Sequence, residues 1–236
     1  MLCEKPFTAN AAEAREVVKV SAETGLPVAE AFMYRFHPMY ERVLECLRTG
    51  AIGTITCIHS MFTWFLDNRS QIPASAELAG GALMDVGCYP VNLARLVADC
   101  EPVRACAFQR GTDIDDTLTG LLEFPNGILA QVECSIESYE RTRAEIVGTR
   151  GAILLESPWN PGDDHARFIL RAEGRQEQIA TPGTNRCQLE GEDFTRSVPT
   201  GDTPRWPAQD AIGNMAAIDA LLTSACTGKV MTVEPI

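Results

Sequence analysis

The sequence predicts an α+β protein, in which an open and mostly antiparallel sheet with helices on one face follows a short βαβ unit. Up to Phe32 the apolar residues mark a strand, a helix and a second strand. From Thr54 the apolar period changes to two, which is typical of strands. The pair Asn126-Gly127 lies between alternating apolar residues and is a strong hairpin signal.

The first βαβ unit is placed by the caps of its helix. The side chain of Thr8 or Asn10 can accept from the free N–H groups at the start of a helix. Gly25 suits the left-handed conformation that often follows a helix end. The strands before Pro6 and after Gly25 then flank one helix, and strands connected in this way pair in parallel.

The other elements follow from the period of the apolar residues and from the turn residues that separate them. Helices are predicted over 11–20, 38–47, 82–97, 188–197 and 208–225. Strands are predicted around Leu2 and over 26–32, 54–66, 103–110, 116–124, 128–137, 143–147, 152–156, 166–171 and 177–180.

The face of the sheet without helices has two interpretations. Phe62, Trp64 and Phe124 are aromatic residues of the predicted strands, where they could form an interface between two copies of the chain or pack in the core. We expect a homo-oligomer, a dimer that forms through the open sheet.

Composition indicates an ordinary globular protein, with 45% hydrophobic and 22% charged residues. The formal net charge of -12 disfavours binding to nucleic acid and to anionic membrane surfaces. The sequence has neither a signal peptide nor an apolar run of about 18 residues, so we expect a cytoplasmic protein without a membrane partner. Its nine cysteines are scattered without a CxxC pair, which predicts reduced thiols and no metal site.

Three stretches, taken together and in this order, resemble the Gfo/Idh/MocA oxidoreductases, the family of glucose-fructose oxidoreductase, inositol dehydrogenase and the rhizopine-catabolism enzyme. They are CEKP at 3–6, EAFMYRFHP at 30–38 and GGALMDVGCYP at 80–90. The resemblance is nearest to the branch of dihydrodiol and NADP-dependent xylose dehydrogenases. It implies an NAD(P)-dependent oxidoreductase that acts on CH-OH groups of a sugar, a polyol or a cyclic diol.

The resemblance also divides the chain into two domains. Residues 1–32 correspond to the C-terminal remnant of a Rossmann dinucleotide-binding domain, and residues 33–236 to a substrate-binding and dimerisation α+β domain. Glu4, Lys5 and Pro6 are assigned to the NAD or NADP cofactor, with Lys5 touching the nicotinamide ribose.

Chemistry supports a catalytic role for Lys5, Asp85 and Tyr89. Hydride transfer between a nicotinamide and a carbinol needs a group that moves the hydroxyl proton and a positive charge near it. Lys5 follows a parallel strand, at the edge where such sheets bind ligands. Asp85 and Tyr89 are four residues apart and share one helix face, where both can reach a substrate hydroxyl. We expect the lysine to lower the pKa of the Tyr89 phenol.

Two alternatives for these residues stay open. Asp85 could cap a helix that begins at Val86, and Tyr89 could be a core aromatic. Many relatives have histidine in place of Tyr89 and aspartate in place of Asn92. This chain departs from that pattern at both positions, which favours the tyrosine branch of the family.

Arg35 and His37 follow the second strand and are predicted near the same site. Arg35 could bind the cofactor or the substrate, or it could form a structural salt bridge. His37 is a further candidate for a substrate contact, with a helix-entry role before Pro38 as the alternative.

The glycine-rich motif GxGxxG, which binds the pyrophosphate of a dinucleotide, is absent from this sequence. The resemblance therefore leads us to expect an N-terminally truncated chain, with about a hundred residues missing before Leu2. We expect the isolated chain to be inactive as an enzyme. The alternative function is a non-catalytic truncated or split product that serves dimerisation or carbohydrate binding.

Overall fold

The computed structural model describes residues 1–200 and 202–236. Its α-helices are α1 (Ala11–Thr24), α2 (Pro38–Arg48), α3 (Cys88–Ala98), α4 (Arg186–Thr200) and α5 (Ala208–Thr227). Its strands are β1 (Leu2–Glu4), β2 (Ala29–Ala31), β3 (Ile55–Phe65), β4 (Arg104–Arg110), β5 (Thr117–Glu123), β6 (Leu129–Ser135), β7 (Glu137–Gly148), β8 (Gly151–Leu155), β9 (His165–Ala172), β10 (Arg175–Pro182) and β11 (Met231–Thr232). A 3₁₀ turn over Met33–Phe36 precedes α2, and a π-helical turn over Leu83–Gly87 precedes α3.

The N-terminal unit has the predicted βαβ arrangement. β1 and β2 form a separate two-stranded parallel sheet, in which Cys3 lies opposite Glu30. The side chain of Asn10 accepts from the Glu13 N–H and caps α1, and Gly25 ends the helix in the left-handed conformation. Of the two caps that the sequence allowed, the structure uses Asn10.

The remaining strands form one large sheet with the order β10-β9-β8-β7-β3-β6-β5-β4-β11. Among the described residues, each neighbouring pair in it is antiparallel except β3 with β6, which is parallel. The predicted hairpin turn joins β5 to β6 at Asn126-Gly127, where Gly127 has a φ of 86°. The predicted α+β fold with a mostly antiparallel sheet is confirmed.

Helices cover one face of this sheet. Side chains along a strand therefore alternate between buried and exposed positions. Leu118 and Leu122 of β5 are buried beneath the helices, whereas Leu121 between them is half exposed. α3 packs on β3 and β6, and α5 packs on β4 and β5. No helix in the described parts of the chain is long and apolar enough to cross a membrane.

The structure decides between the two interpretations of Phe62, Trp64 and Phe124. Phe124 is buried, and Phe62 and Trp64 are partly buried against the core, so the core-packing interpretation holds for all three. Exposed apolar residues at outward strand positions include Phe108 and Leu129, with 82% and 51% of their surface exposed, together with Leu121. Period alone cannot separate the two faces of a strand when both carry apolar residues.

The buried residue Asp115 caps the start of the helical segment that carries Asp85 and Tyr89. Asp115 accepts from the Leu83 N–H at 2.7 Å through its Oδ2 and from the Ala82 N–H at 2.7 Å through its carbonyl oxygen. Asp85 lies inside the π-helical turn, so the alternative that it caps a helix at Val86 is wrong. Asp115 provides that cap from a distant loop.

We expect Gly81→Ala to lower the free energy of unfolding by about 3 kcal/mol or more. Gly81 has a φ of 120°, and an added Cβ would lie 2.0 Å from the Asp115 Oδ1. Gly127→Ala is the control, since its φ is also positive but no atom lies within 4 Å of the added Cβ, and it should cost about 1 kcal/mol. Equal losses in urea unfolding would contradict the steric argument.

Candidate active site

Lys5 connects the N-terminal unit to the helical segment before α3. It follows the end of β1, and its Nζ donates to the carbonyl oxygen of Asp85 and lies 3.6 Å from the Asp85 Oδ1. Both side chains are largely buried, with 17% and 21% of their surface exposed. The structure therefore brings together Lys5 and Asp85, which are 80 positions apart in the chain.

The π-helical turn helps to explain why a helix carbonyl accepts from a side chain. A π-helical register pairs the carbonyl of residue i with the N–H of residue i+5, and for Asp85 that residue is Pro90. Pro90 has no N–H, so it cannot donate to the Asp85 carbonyl oxygen. Lys5 supplies a donor at this position.

The Asp85 carboxylate is also held by Trp64. The indole Nε1 of Trp64 on β3 donates to the Asp85 Oδ2 at 2.9 Å, while the Oδ1 faces Lys5. Trp64 therefore fixes the orientation of the carboxylate toward the lysine. Sequence analysis treated Trp64 only as an apolar strand residue, because nothing local indicates which carboxylate its N–H meets.

Tyr89 lies one turn further along, within a cluster of aromatic rings. The rings of Phe32, Phe62 and Trp159 lie 5.3 to 5.7 Å from its own, measured between centroids. The Lys5 Nζ lies 5.4 Å from the centroid of the Tyr89 ring, and the Tyr89 hydroxyl donates to the Met33 Sδ at 3.8 Å. Lys5, Asp85 and Tyr89 thus lie together, as the sequence predicted.

Burial raises the pKa of the Tyr89 phenol, with smaller contributions from Cys88 and from the negative charge of Glu4. We had expected Lys5 to lower this pKa, and that expectation was wrong. The ammonium lies over the face of the ring, and the desolvation of the phenol dominates. Tyr89 is therefore a phenol that keeps its proton and can donate it.

A cavity of about 230 Å³ lies beside Lys5 and Asp85. It is lined by Lys5, Pro6, Thr8, Ala9, Ile72, Pro73, Leu78, Ala79, Gly80, Met84 and Asp85. Its apolar walls and its single ammonium suit a flat ring that carries polar groups at one edge. A nicotinamide ring with its ribose fits this description. Pro6 lines the cavity after a cis peptide bond from Lys5, whereas Glu4 is exposed at the end of β1.

Arg35 is placed in a different environment from Lys5. Its Nη1 lies 2.5 Å from the Asp210 Oδ2, and its guanidinium lies between the rings of Phe32 and Trp206 at 5.3 and 4.3 Å from their centroids. It borders a second cavity of about 520 Å³, at the other end of α3 from Tyr89. The structure thus shows the salt-bridge alternative for Arg35.

His37 is fully buried at the start of α2. Its Nδ1 accepts from the Met39 N–H at 3.0 Å, and its Nε2 faces the Gly162 carbonyl oxygen at 3.4 Å. Both ring nitrogens are therefore occupied by the backbone, as the helix-entry alternative requires. Burial lowers the pKa of its imidazole.

Sequence analysis missed a buried carboxylate near the Met33–Phe36 turn. Glu190 lies on α4, which packs against that turn, and its Oε1 has no hydrogen-bond partner among the described residues. Burial raises the pKa of Glu190 to about 7, and the charge of Glu4 adds to this while Arg35 opposes it. A single glutamate in a polar helix carries no sequence signal of burial.

Comparison with known proteins identifies the family. The family model of the GFO/IDH/MocA C-terminal domain matches residues 40–154. A D-xylose 1-dehydrogenase (NADP(+)) of Haloferax volcanii is 35% identical over 239 residues, which cover 99% of this chain and 73% of that protein. The trans-1,2-dihydrobenzene-1,2-diol dehydrogenase of Mus musculus is 34% identical over 187 residues, covering 77% of this chain and 54% of that protein. The chain belongs to the Gfo/Idh/MocA family of oxidoreductases.

Solved structures agree with this assignment. A crystal structure of a 3-ketoreductase from Actinomadura kijaniata, in complex with NADP and TDP-benzene, superposes with a TM-score of 0.86 at 28% identity. The match covers 94% of this chain and 70% of that chain. Further structures of that enzyme carry a replaced lysine or a replaced tyrosine, and those two positions lie as far apart in its sequence as Lys5 and Tyr89 do here.

We expect the Tyr89 phenol to stay un-ionised in the folded protein well above about pH 10, since its pKa is raised by burial. In the unfolded chain the same phenol ionises near pH 10, so stability should fall as the pH rises through about 10. Ultraviolet titration of wild type against Tyr89→Phe measures this directly.

While Tyr89 stays un-ionised, the folded wild type and the folded variant should give the same tyrosinate signal. The wild type has only four tyrosines, so a contribution from Tyr89 would be visible. In urea the two proteins should differ by one phenolate. A folded-state tyrosinate of Tyr89 below about pH 10 would show that the charge of Lys5 outweighs desolvation.

Proposed function

We propose that this protein is an NAD(P)-dependent oxidoreductase that acts on the CH-OH group of a sugar, a polyol or a cyclic diol. The observation that carries the proposal is the convergence of Lys5, Asp85 and Tyr89, of which Lys5 and Asp85 line one cavity. Named relatives support it, since they act on D-xylose and on a trans-dihydrodiol, and two of the named relatives use or bind NADP.

Each residue has a role that follows from its contacts. Tyr89 is the proton donor to a substrate carbonyl oxygen, and it takes the hydroxyl proton back in the reverse direction. Lys5 supplies positive charge near the oxygen that gains electron density, and Asp85 holds Lys5 through two oxygens. When bound, the nicotinamide cofactor supplies or accepts the hydride. Glu4, Lys5 and Pro6 are the residues proposed to border it.

The raised pKa of Tyr89 affects how the reductive and the oxidative reactions depend on pH. A protonated phenol is ready to donate at neutral pH, which favours reduction of a carbonyl. Oxidation of the alcohol needs the phenolate, and the ammonium of Lys5 is the only cation placed against the Tyr89 ring among the described residues. We therefore propose that the oxidative reaction gains rate as the pH rises.

The division after residue 32 is part of the proposal. β1 and β2, which α1 connects, form their own parallel sheet. This supports assigning residues 1–32 to a dinucleotide-binding domain and residues 33–236 to the substrate domain. The roles of Arg35 and His37 are proposed to be structural, because the Arg35 ion pair and the backbone contacts of His37 account for them. The predicted cytoplasmic location stays a prediction.

The alternative of a non-catalytic product finds no support in the comparisons. The named relatives are a dehydrogenase of D-xylose, a dehydrogenase of a diol and a ketoreductase.

Lys5→Met and Tyr89→Phe are each expected to lower kcat by roughly 100-fold or more, because each removes a group that acts on the reacting oxygen. Nicotinamide absorbance measures turnover with D-xylose and with a trans-dihydrodiol as substrates. Because the sequence lacks GxGxxG, each protein is assayed with a GxGxxG dinucleotide-binding domain joined before Met1. Lys19→Met is the matched control, since Lys19 is exposed on α1 and should leave kcat unchanged. Full activity of either site variant would refute the assigned roles. Failure of the joined wild type to bind NAD or NADP would refute the function.

We also propose a dimer through the open face of the sheet, on the basis of exposed Phe108, Leu121 and Leu129. Phe108→Glu should convert the dimer to a monomer in analytical ultracentrifugation, because it places a charge in an apolar contact. Val20→Glu, on the exposed side of α1, should leave the dimer intact. A wild-type monomer, or equal effects of both variants, would contradict this interface.

A further inference from the structure

The residue two places after Lys5 is anchored at three points. The Phe7 ring is buried, the Phe7 N–H donates to the Glu30 Oε1 at 2.9 Å, and the Phe7 carbonyl oxygen accepts from the Cys3 Sγ at 3.7 Å. Lys5 and Pro6 thus span a short gap between the end of β1 and a fixed residue. A shift of Phe7 would move the backbone of Lys5.

Glu30 is an unusual residue for the place it occupies. It lies on β2 opposite Cys3, and only 4% of its surface is exposed. Its Oε1 binds the Phe7 N–H, but its Oε2 has no hydrogen-bond partner among the described residues. A buried carboxyl with an unpaired oxygen is unfavourable for stability, so packing alone does not account for Glu30.

The charge state of Glu30 agrees with its surroundings. Burial raises the pKa of the carboxyl to about 8, the charges of Arg35 and Arg95 oppose that rise, and Asp210 adds to it. The hydrogen bond from the Phe7 N–H also opposes the rise. Near neutral pH the group is therefore largely protonated, and a protonated carboxyl still accepts through its other oxygen.

We propose that Glu30 is a positioning residue, which acts through the Phe7 amide to hold the Lys5 ammonium against Asp85. The catalytic meaning of this inference rests on the proposed function of Lys5. The geometric claim does not, since the position of Lys5 can be measured without turnover.

The chain provides a matched control at the other end of the same loop. The Asp219 Oδ2 accepts from the Ala11 N–H at 2.8 Å, so a second carboxylate of a distant element holds a backbone N–H at the first residue of α1. Asp219 binds at the start of α1, beyond Phe7 and away from Lys5. Loss of either bond loosens the loop, but loss of the Glu30 bond alone should release Lys5.

The reactivity of the Lys5 amine reports whether it is still held against Asp85. The chain has only Lys5, Lys19 and Lys229, so each lysine can be followed separately. Limited reductive methylation with formaldehyde, followed by peptide mass spectrometry, gives a rate for each. In the wild type Lys5 should react about tenfold more slowly than exposed Lys19 and Lys229, because it is partly buried and donates to Asp85.

Glu30→Ala should raise the Lys5 rate by about tenfold, the equivalent of one lost hydrogen bond, and leave the other two lysines unchanged. Glu30→Asp should act in the same direction, since a side chain shorter by one methylene withdraws the carboxyl from Phe7, and it serves if the alanine variant does not fold. Glu30→Gln keeps an oxygen acceptor and should retain protection. Asp219→Ala should change the Lys5 rate by less than about twofold.

Two outcomes would overturn the proposal: continued protection of Lys5 in both Glu30→Ala and Glu30→Asp, or an equal rise in Asp219→Ala. Turnover is measured separately, where release of Lys5 should lower kcat by about tenfold with little change in the KM for substrate. If Glu30→Ala releases Lys5 while Lys5→Met keeps full turnover, the positioning contact stands and the proposed function of Lys5 fails.

Discussion

The contact of Lys5 with Asp85 determines the geometry of the whole candidate site. It joins the small parallel sheet to the helical segment before α3, and it fixes the ammonium over the Tyr89 ring. A hydrogen bond from a charged donor is worth roughly 1.5–3 kcal/mol, and its partial burial limits screening by salt. Trp64 holds the other carboxylate oxygen. Without the Asp85 carboxylate, the largely buried ammonium would keep the backbone carbonyl but lose the opposite charge beside it, which is unfavourable for stability.

A second polar network supports the other end of α3. Arg95 binds Glu101 at 2.6 and 2.7 Å and Asp210 at 3.0 Å, and Asp210 also holds Arg35. The two arginines are almost fully buried, whereas Asp210 and Glu101 are partly exposed, so removal of a carboxylate would leave a buried arginine with less compensating charge. Burial of the two arginines lowers their freedom to serve a ligand at the Lys5 cavity. The start of α3 thus carries Tyr89 of the candidate site, whereas its other end carries the charge network of Arg95.

Local patterns predicted most of the elements, because these depend on spacing within one segment. Lys5, Asp85 and Tyr89 came from the family resemblance together with the chemistry that they offer, and their role stays a prediction. Alternation located β3, and the four-residue spacing placed Asp85 and Tyr89 on one face. The partners of Arg35 and the cap from Asp115 were not predictable, since they come from residues far away in the chain. The raised pKa of Tyr89 was missed for the same reason: it depends on rings from several elements.

The position of β3 has a consequence for the order in which the protein folds. β3 lies in the middle of the sheet but pairs with β6 and β7, whose residues follow it by 70 or more positions, as in Cys57 opposite Leu129. The hairpin of β5 and β6 is local and can form early, whereas β3 must wait for chain that is synthesised later. Trp64 lies on β3, so the Asp85 carboxylate acquires its final orientation only after this long-range closure. The candidate site of a nascent chain therefore reaches its final geometry only after β3 has paired with β6 and β7.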